Sequence, residues 1–172
     1  MSRAVYVSTT EPNSGKSIVS LGLMQLLLQK VAKVGYFRPI IDDFKPGQID
    51  NHINTLCTFF KIDLKFEDAY AFTRSEIIRK KNEGKEREII NTIIKKYKAI
   101  EEKFDFVLVE GTSFSGDVNI IEFDINILIA KNLGIPAIIL ASGVGKSIED
   151  LVGILKIAYD SFKEKGVEGD TS

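Results

Sequence analysis

The 172-residue sequence holds one cysteine and one histidine, and each scarcity closes off a class of chemistry. Cys57 has no second cysteine with which to form an intrachain disulfide, which fits a reducing compartment. Its place among Leu56, Phe59 and Phe60 in a helical apolar pattern makes a buried, inert thiol the expectation. His52 has neither cysteine partners nor a second histidine, so the ligand spacing of a zinc site is missing and a solvated ring is expected. Charge of one sign is lacking too: 23 Lys and Arg against 24 Asp and Glu leave a formal net charge of −1. A balance of that kind gives no electrostatic footprint for a nucleic-acid backbone or an anionic membrane. No apolar run reaches the roughly 18 residues of a membrane span, and the N-terminus carries no secretory signal, so the chain reads as cytoplasmic. Repeats and low-complexity linkers are absent as well. With 44% apolar residues the chain can bury one core, and it is short for two domains.

What is present is an apolar strand, a tight loop and a helix in immediate succession. Residues 5–17 read VYVSTTEPNSGKS, and Ile18, Val19, Leu21, Leu23, Met24, Leu26, Leu27 and Leu28 follow at once. In a loop of this layout the backbone N–H groups of Asn13, Ser14 and Gly15 and the helix N-terminus face an anion. Lys16 reaches the outer phosphates, and the Ser17 hydroxyl ligates Mg²⁺. The full Walker pattern wants glycine at position 10, where Thr10 stands, so only its second half is matched. The other reading is that Gly15 and Ser17 merely begin a helix with Lys16 in solvent.

Along the chain, strands and helices alternate. Residues 15–31 are apolar on nearly every side, as for a helix lying deep against a sheet, with Gly22 permitting close approach. Residues 33–39 form a short strand halted by Pro39, which has no N–H for a central ladder. A loop with Pro46 and Gly47 leads to a helix over 50–61, which Asp50 is placed to cap. Residues 66–84 are the least legible, with a helical piece over 76–81. The stretch 85–103 is strongly amphipathic, with Ile89, Ile90, Ile93, Ile94, Tyr97 and Ile100 on one face. Residues 104–109 are a hydrophobic strand of the kind buried on both faces in parallel sheets, ending at Glu110. After a loop over 112–119 that contains Gly116, a helix spans 124–133 and a strand 135–141. The last helix turns Ile148, Leu151, Val152, Leu155, Ala158, Tyr159 and Phe162 inward. A second Gly-Lys-Ser, at residues 145–147, precedes it, but Ser147 and Asp150 account for that segment as a helix cap.

Strands joined by helices of ten residues or more imply right-handed crossovers and an α/β fold, a parallel sheet with helices on both faces. Ligands of such folds sit at the carboxyl ends of the strands. Here those ends carry the first loop, Arg38, Glu110 and residues 142–146. A carboxylate that ends a buried strand, as Glu110 does, is where P-loop proteins keep the acid that holds Mg²⁺ or its water. Asp50 is either a second acidic contact or only a cap.

These blocks together resemble the N-terminal domain of long bacterial phosphate acetyltransferases, which is itself similar to dethiobiotin synthetase. They are residues 10–17 with 20–23, then 35–40, 105–112, 129–134 and 142–147. The resemblance spans essentially the whole chain and implies a P-loop NTPase-like, three-layer α/β/α domain. In such enzymes the transfer of acetyl between coenzyme A and phosphate is carried by a separate C-terminal acetyltransferase domain. The chain, which closes with a helix and no returning strand, is expected to be a fragment of a longer polypeptide. The implied role is regulatory or architectural: binding a small anionic effector, such as ATP or another nucleotide with Mg²⁺, and holding a homo-oligomer together.

The synthetase comparison implies that Lys16 contacts phosphate, that Ser17 ligates Mg²⁺, and that Asp50 and Glu110 are the acids near the metal. Arg38 stands where the synthetase has a substrate-side lysine before proline, Thr9 where it has a loop glycine, and Phe114 in its glycine-rich segment. Ring closure of a diamine driven by ATP is therefore not the expected activity. An ATP- and Mg²⁺-dependent ligase of that type and a purely structural domain with a vestigial loop are the alternatives.

Overall fold

The computed structural model describes residues 3–45, 47–112 and 119–167. Five strands form one parallel sheet in the order β3-β2-β4-β1-β5: β1 Ala4–Thr9, β2 Val34–Ile41, β3 Tyr70–Thr73, β4 Phe106–Glu110 and β5 Ala137–Leu140. The crossovers carry α1 Lys16–Leu28, α2 Asn51–Phe59, α3 Arg74–Asn82, α4 Glu86–Glu101 and α5 Asn119–Leu133, and α6 Ile148–Glu164 follows β5. Two buried clusters flank the sheet, which makes the architecture P-loop NTPase-like with three layers. One joins Val7, Leu108 and Tyr36 to Met24 of α1 and to Ile53 and Leu56 of α2. The other joins Tyr6, Val107 and Val109 to α3, α4, α5 and α6.

Strand periodicity explains why Glu110 faces the first of these layers. Side chains alternate along a strand, so Leu108 and Glu110 share the face that α1 covers, while Val107 and Val109 face the other side. Tyr36 pairs with Leu108 and Phe37 with Val109 in register, which sets Arg38 level with Glu110 on that same face.

Helix α4 follows its sequence pattern, burying Ile89, Ile93, Tyr97 and Ile100. Asp50 caps α2 as expected, accepting a hydrogen bond from the Ile53 N–H at 2.9 Å. Cys57 is half-buried, and burial pushes its thiol up to about 11, in keeping with an inert side chain. Other expectations are overturned. Helix α1 ends at Leu28 and lies on the surface of the layer: only Lys16, Ser20 and Met24 are buried, and Ile18 is 76% exposed. Gly22 faces open space, so close approach is not its role. Strand β2 runs through Pro39. Its Arg38 N–H bonds Ala69 on the β3 side, so the missing N–H of Pro39 points toward β4, whose paired register with β2 stops at Phe37. The illegible middle contains β3, followed by α3, which starts at a Thr73–Glu76 capping box. In α6, Ala158 and Phe162 are buried, but Ile148 is 81% exposed and Val152 is exposed as well. The calls on Pro46, on residues 113–118 with Phe114 and Gly116, and on residues 168–172 lie outside the described residues.

Just past β4 the backbone is clamped by a buried network. The Tyr6 hydroxyl and the Thr112 N–H both donate to Asn126 Oδ1, at 2.7 and 3.0 Å, and Asn126 Nδ2 donates to the Thr112 carbonyl at 2.9 Å. A Cβ at Gly111 would lie 2.7 Å from that Asn126 oxygen and 2.9 Å from the Val7 carbonyl. Because the Val7 contact is backbone and cannot swing aside, Gly111→Ala is expected to cost about 1–3 kcal/mol of stability, read as a lowered urea midpoint. An unchanged midpoint would contradict this packing.

Candidate functional site

The loop after β1 turns through two residues of positive φ, Asn13 at 57° and Gly15 at 79°, and Gly15 opens α1. Alternation of this kind turns successive N–H groups toward one side, and the first N–H groups of any helix lack intrahelical partners. Asn13 and Gly15 are exposed and Ser14 and Ser17 half-buried, so the loop forms a rim at the carboxyl ends of β1 and β4.

Charge is buried beneath the rim. Glu110 is 0% exposed, Arg38 5% and Lys16 6%. The Lys16 ammonium donates to the Gly111 carbonyl and stands 4.0 Å from Glu110 Oε1. Arg38 Nη1 donates to both oxygens of Asp50, at 2.7 Å each, and Arg38 Nε lies 3.6 Å from Glu110 Oε1. The Tyr36 hydroxyl donates to Glu110 Oε2 at 2.8 Å. His52 Nδ1 shares a hydrogen bond of 2.9 Å with the Ser17 hydroxyl and lies 3.6 Å from Glu110 Oε1.

The structure thus brings together Lys16, Ser17, Arg38, Asp50 and Glu110, all singled out in the sequence, beside the loop of Asn13, Ser14 and Gly15. It adds two residues that sequence reasoning missed. The His52 side chain, expected in solvent, is only 40% exposed and belongs to the cluster. Its signal was its place two residues after the Asp50 cap, on the first turn of α2. Tyr36 carried none, because a tyrosine in a strand reads as core. Burial, together with the neighbouring negative charge of Glu110, holds the Tyr36 phenol well above its ordinary range, so it remains a donor. Burial disfavours the Arg38 charge, but Tyr36, Glu110 and Asp50 more than offset that, and its pKa rises.

Two orphaned polar atoms lie in the same cluster. Among the described residues, the buried side-chain atoms without a hydrogen-bond partner are Ser8 Oγ, Thr10 Oγ1, Ser20 Oγ, Arg38 Nε and Glu110 Oε1. They belong to β1, the loop, the sheet-facing side of α1, and the buried charges. Proteins rarely leave such atoms unpaired, and two of them, Arg38 Nε and Glu110 Oε1, stand 3.6 Å apart within the buried charge cluster, as in a site that receives a ligand.

The second Gly-Lys-Ser makes no loop of its own. Lys146 Nζ donates to Glu11 Oε1 at 2.6 Å and to the Ser142 carbonyl at 2.9 Å, and the Ser142 N–H donates to the same Glu11 oxygen at 2.9 Å. Those bonds, the Lys146 one foremost, hold the Glu11 carboxyl below its ordinary range. Ser147 caps α6, accepting from the Asp150 N–H at 3.1 Å. A hollow of about 520 Å³ lies at the amino ends of the strands, between residues such as Val34, Phe60 and Phe104. Its lysines, Lys33, Lys61 and Lys103, are all exposed, and no buried charge faces it.

Comparison with known proteins gives the chain a family. The family described as an AAA domain matches residues 3–168. A phosphate acetyltransferase of Nitratidesulfovibrio vulgaris is 40% identical over 168 residues, which is 98% of this chain and 24% of that protein. One from Synechocystis sp. strain PCC 6803 is 33% identical, again over 98% of this chain and 24% of its own length. The chain therefore spans about a quarter of the length of the curated relatives it matches. Among solved structures, the chimerical protein CapA2B2 superposes with a TM-score of 0.50 at 13% identity, over 100% of this chain and 77% of that one, a likeness of fold alone.

Removing one member of a buried charge cluster strands the others without a counter-charge. Glu110→Ala, which releases Tyr36, Arg38 and Lys16 together, is expected to lower stability by about 3–5 kcal/mol in urea titration. A loss under about 1 kcal/mol, the range of a surface pair, would show that the cluster is not buried as described.

Proposed function

The chain belongs to the AAA domain family and corresponds to the P-loop-like domain of phosphate acetyltransferases, and on that premise we propose that it is a non-catalytic regulatory module of such an enzyme. The whole protein would interconvert acetyl-CoA and phosphate with acetyl phosphate and coenzyme A. Its transfer chemistry would lie in a C-terminal acetyltransferase domain, and its setting would be cytoplasmic. This domain binds a small anionic effector, a nucleotide above all, at residues 13–17, and contributes to holding a homo-oligomer together.

The observation that carries the reading is the pair of buried cations, Lys16 and Arg38, under an exposed loop whose N–H groups turn outward beside unpaired polar atoms. A purely structural domain gains nothing from such an arrangement, since well-packed apolar residues of the same volume are at least as stable as buried ion pairs. A ligase of the dethiobiotin synthetase type has less support: its acids must serve a metal, and Asp50 is committed to Arg38.

Calorimetric titration of the protein with ATP, ADP, NADH and pyruvate tests the reading. Saturable binding of at least one of them is expected, weakened about tenfold or more in Lys16→Ala because a charge-assisted contact is lost. Failure of all four to bind, or equal affinity in the variant, would overturn it.

A further inference from the structure

A P-loop fold implies Mg²⁺ between the loop hydroxyl and the acids at the strand tips, so the first question is whether Ser17, Asp50 and Glu110 fit that ion. They do not. Mg²⁺ demands oxygen ligands in near-octahedral geometry, usually one or two carboxylates with waters and phosphates. Both Asp50 oxygens already accept from Arg38 Nη1, and Oδ1 also accepts from the Ile53 N–H. Glu110 Oε2 accepts from Tyr36, and the Ser17 hydroxyl is engaged with His52. Glu110 Oε1 accepts no hydrogen bond, yet it is surrounded by Arg38 Nε at 3.6 Å, His52 Nδ1 at 3.6 Å and Lys16 Nζ at 4.0 Å. An ion placed against that oxygen would meet two fixed positive charges. Among the described residues, no group of three or more His, Cys, Asp and Glu is disposed to hold a metal.

The guanidinium itself lies between the two carboxylates. It is always charged, planar and built to contact phosphate as well as carboxylate oxygens. Its Nε is buried and has no hydrogen-bond partner among the described residues, so it retains a donor after both Asp50 bonds are made. From this placement we infer that Arg38 takes over the task of the divalent cation, so that the loop receives a polyphosphate-bearing ligand free of metal. The inference rests on the anion-binding reading above for its ligand, while the arginine's exclusion of metal stands on the carboxylate geometry alone. It also gives the arginine at position 38 a reason beyond charge: a lysine is a point donor and cannot span Asp50 and Glu110 in one plane.

The test has two arms on the wild-type protein and one on a variant. In the first, Mn²⁺ alone is titrated and followed by electron paramagnetic resonance and thermal unfolding. The expected result is no saturable binding and no Tm shift, and saturable binding that protects the protein would overturn the arginine's role. In the second, ATP affinity is measured in EDTA and in excess Mg²⁺. Affinity in EDTA equal to or above that in Mg²⁺ is expected, and a gain of about tenfold or more on adding Mg²⁺ would overturn the inference. No ATP binding in either buffer would overturn the polyphosphate half of this inference, while the anion-binding reading falls only if ADP, NADH and pyruvate fail as well, and the Mn²⁺ arm decides the arginine's part. In the third arm, Arg38→Gln removes the guanidinium from between the two carboxylates, and Mn²⁺ is expected to bind and raise Tm. A folded variant indifferent to Mn²⁺ would count against the substitution of guanidinium for metal, and a variant that does not fold leaves the decision to the two wild-type arms.

Discussion

Everything at the loop end of this sheet depends on neutralising carboxylates in a place water scarcely reaches. Asp50 and Glu110 are held by Arg38 and Lys16, three of the four almost wholly buried. Taking a charge out of water costs several kcal/mol even after relaxation, so such a group is tolerated only where opposite charge and hydrogen bonds surround it. Each nearby element supplies a share. Strand β2 brings Tyr36 and Arg38, two residues apart and therefore on one face. Strand β4 brings Glu110 on that same face, α1 brings Lys16, and α2 brings Asp50 and His52 from its cap and first turn. Lys16 and Arg38 against Asp50 and Glu110 balance, so these four groups carry no net charge until an anion arrives.

The surroundings keep the cluster in position. On the far side of the sheet, Asn126 of α5 ties Tyr6 to the backbone just after Glu110, which fixes Gly111, the residue whose carbonyl holds Lys16. Across the loop, Glu11 is bound by Lys146 and Ser142, so the β5–α6 connection braces the outer wall of the loop after β1. The second Gly-Lys-Ser is thus a strut for the first. An anion on the rim would need the Lys16 ammonium, which is held by a backbone carbonyl within a side chain's swing of the loop.

Much of this was legible in the sequence where one physical rule dominates. Helix α4 announces itself because lysines and glutamates leave only one apolar face, and β4 because an unbroken apolar run followed by a carboxylate has few other readings. The loop lysine, the strand-tip acid and the Asp50 cap were placed for the same reason. Other features were hidden because two rules compete. Leucines all round α1 suggested deep burial, yet only every fourth residue from Lys16 is fully buried; Leu21, Leu23, Leu27 and Leu28 are half-buried against the core, and Ile18 and Leu26 are exposed. Strand β3 has four residues, too few for alternation to stand out. Pro39 argues against a strand, and β2 tolerates it only because its unusable N–H falls beyond the end of the β4 ladder. The Arg38–Asp50 bond and the Tyr6–Asn126 bond join residues 12 and 120 positions apart in the chain, and no local pattern signals either.

The central claim is that buried cations beneath the loop await an anion from solvent. Its most direct measurement is a crystal structure of the protein soaked with pyrophosphate, read at residues 13–17. The account expects density cradled by the N–H groups of Gly15, Lys16 and Ser17, with the Lys16 ammonium moved from the Gly111 carbonyl onto the anion and Arg38 still on Asp50. An ammonium left on Gly111 in well-ordered crystals, with no density at the loop, would contradict it.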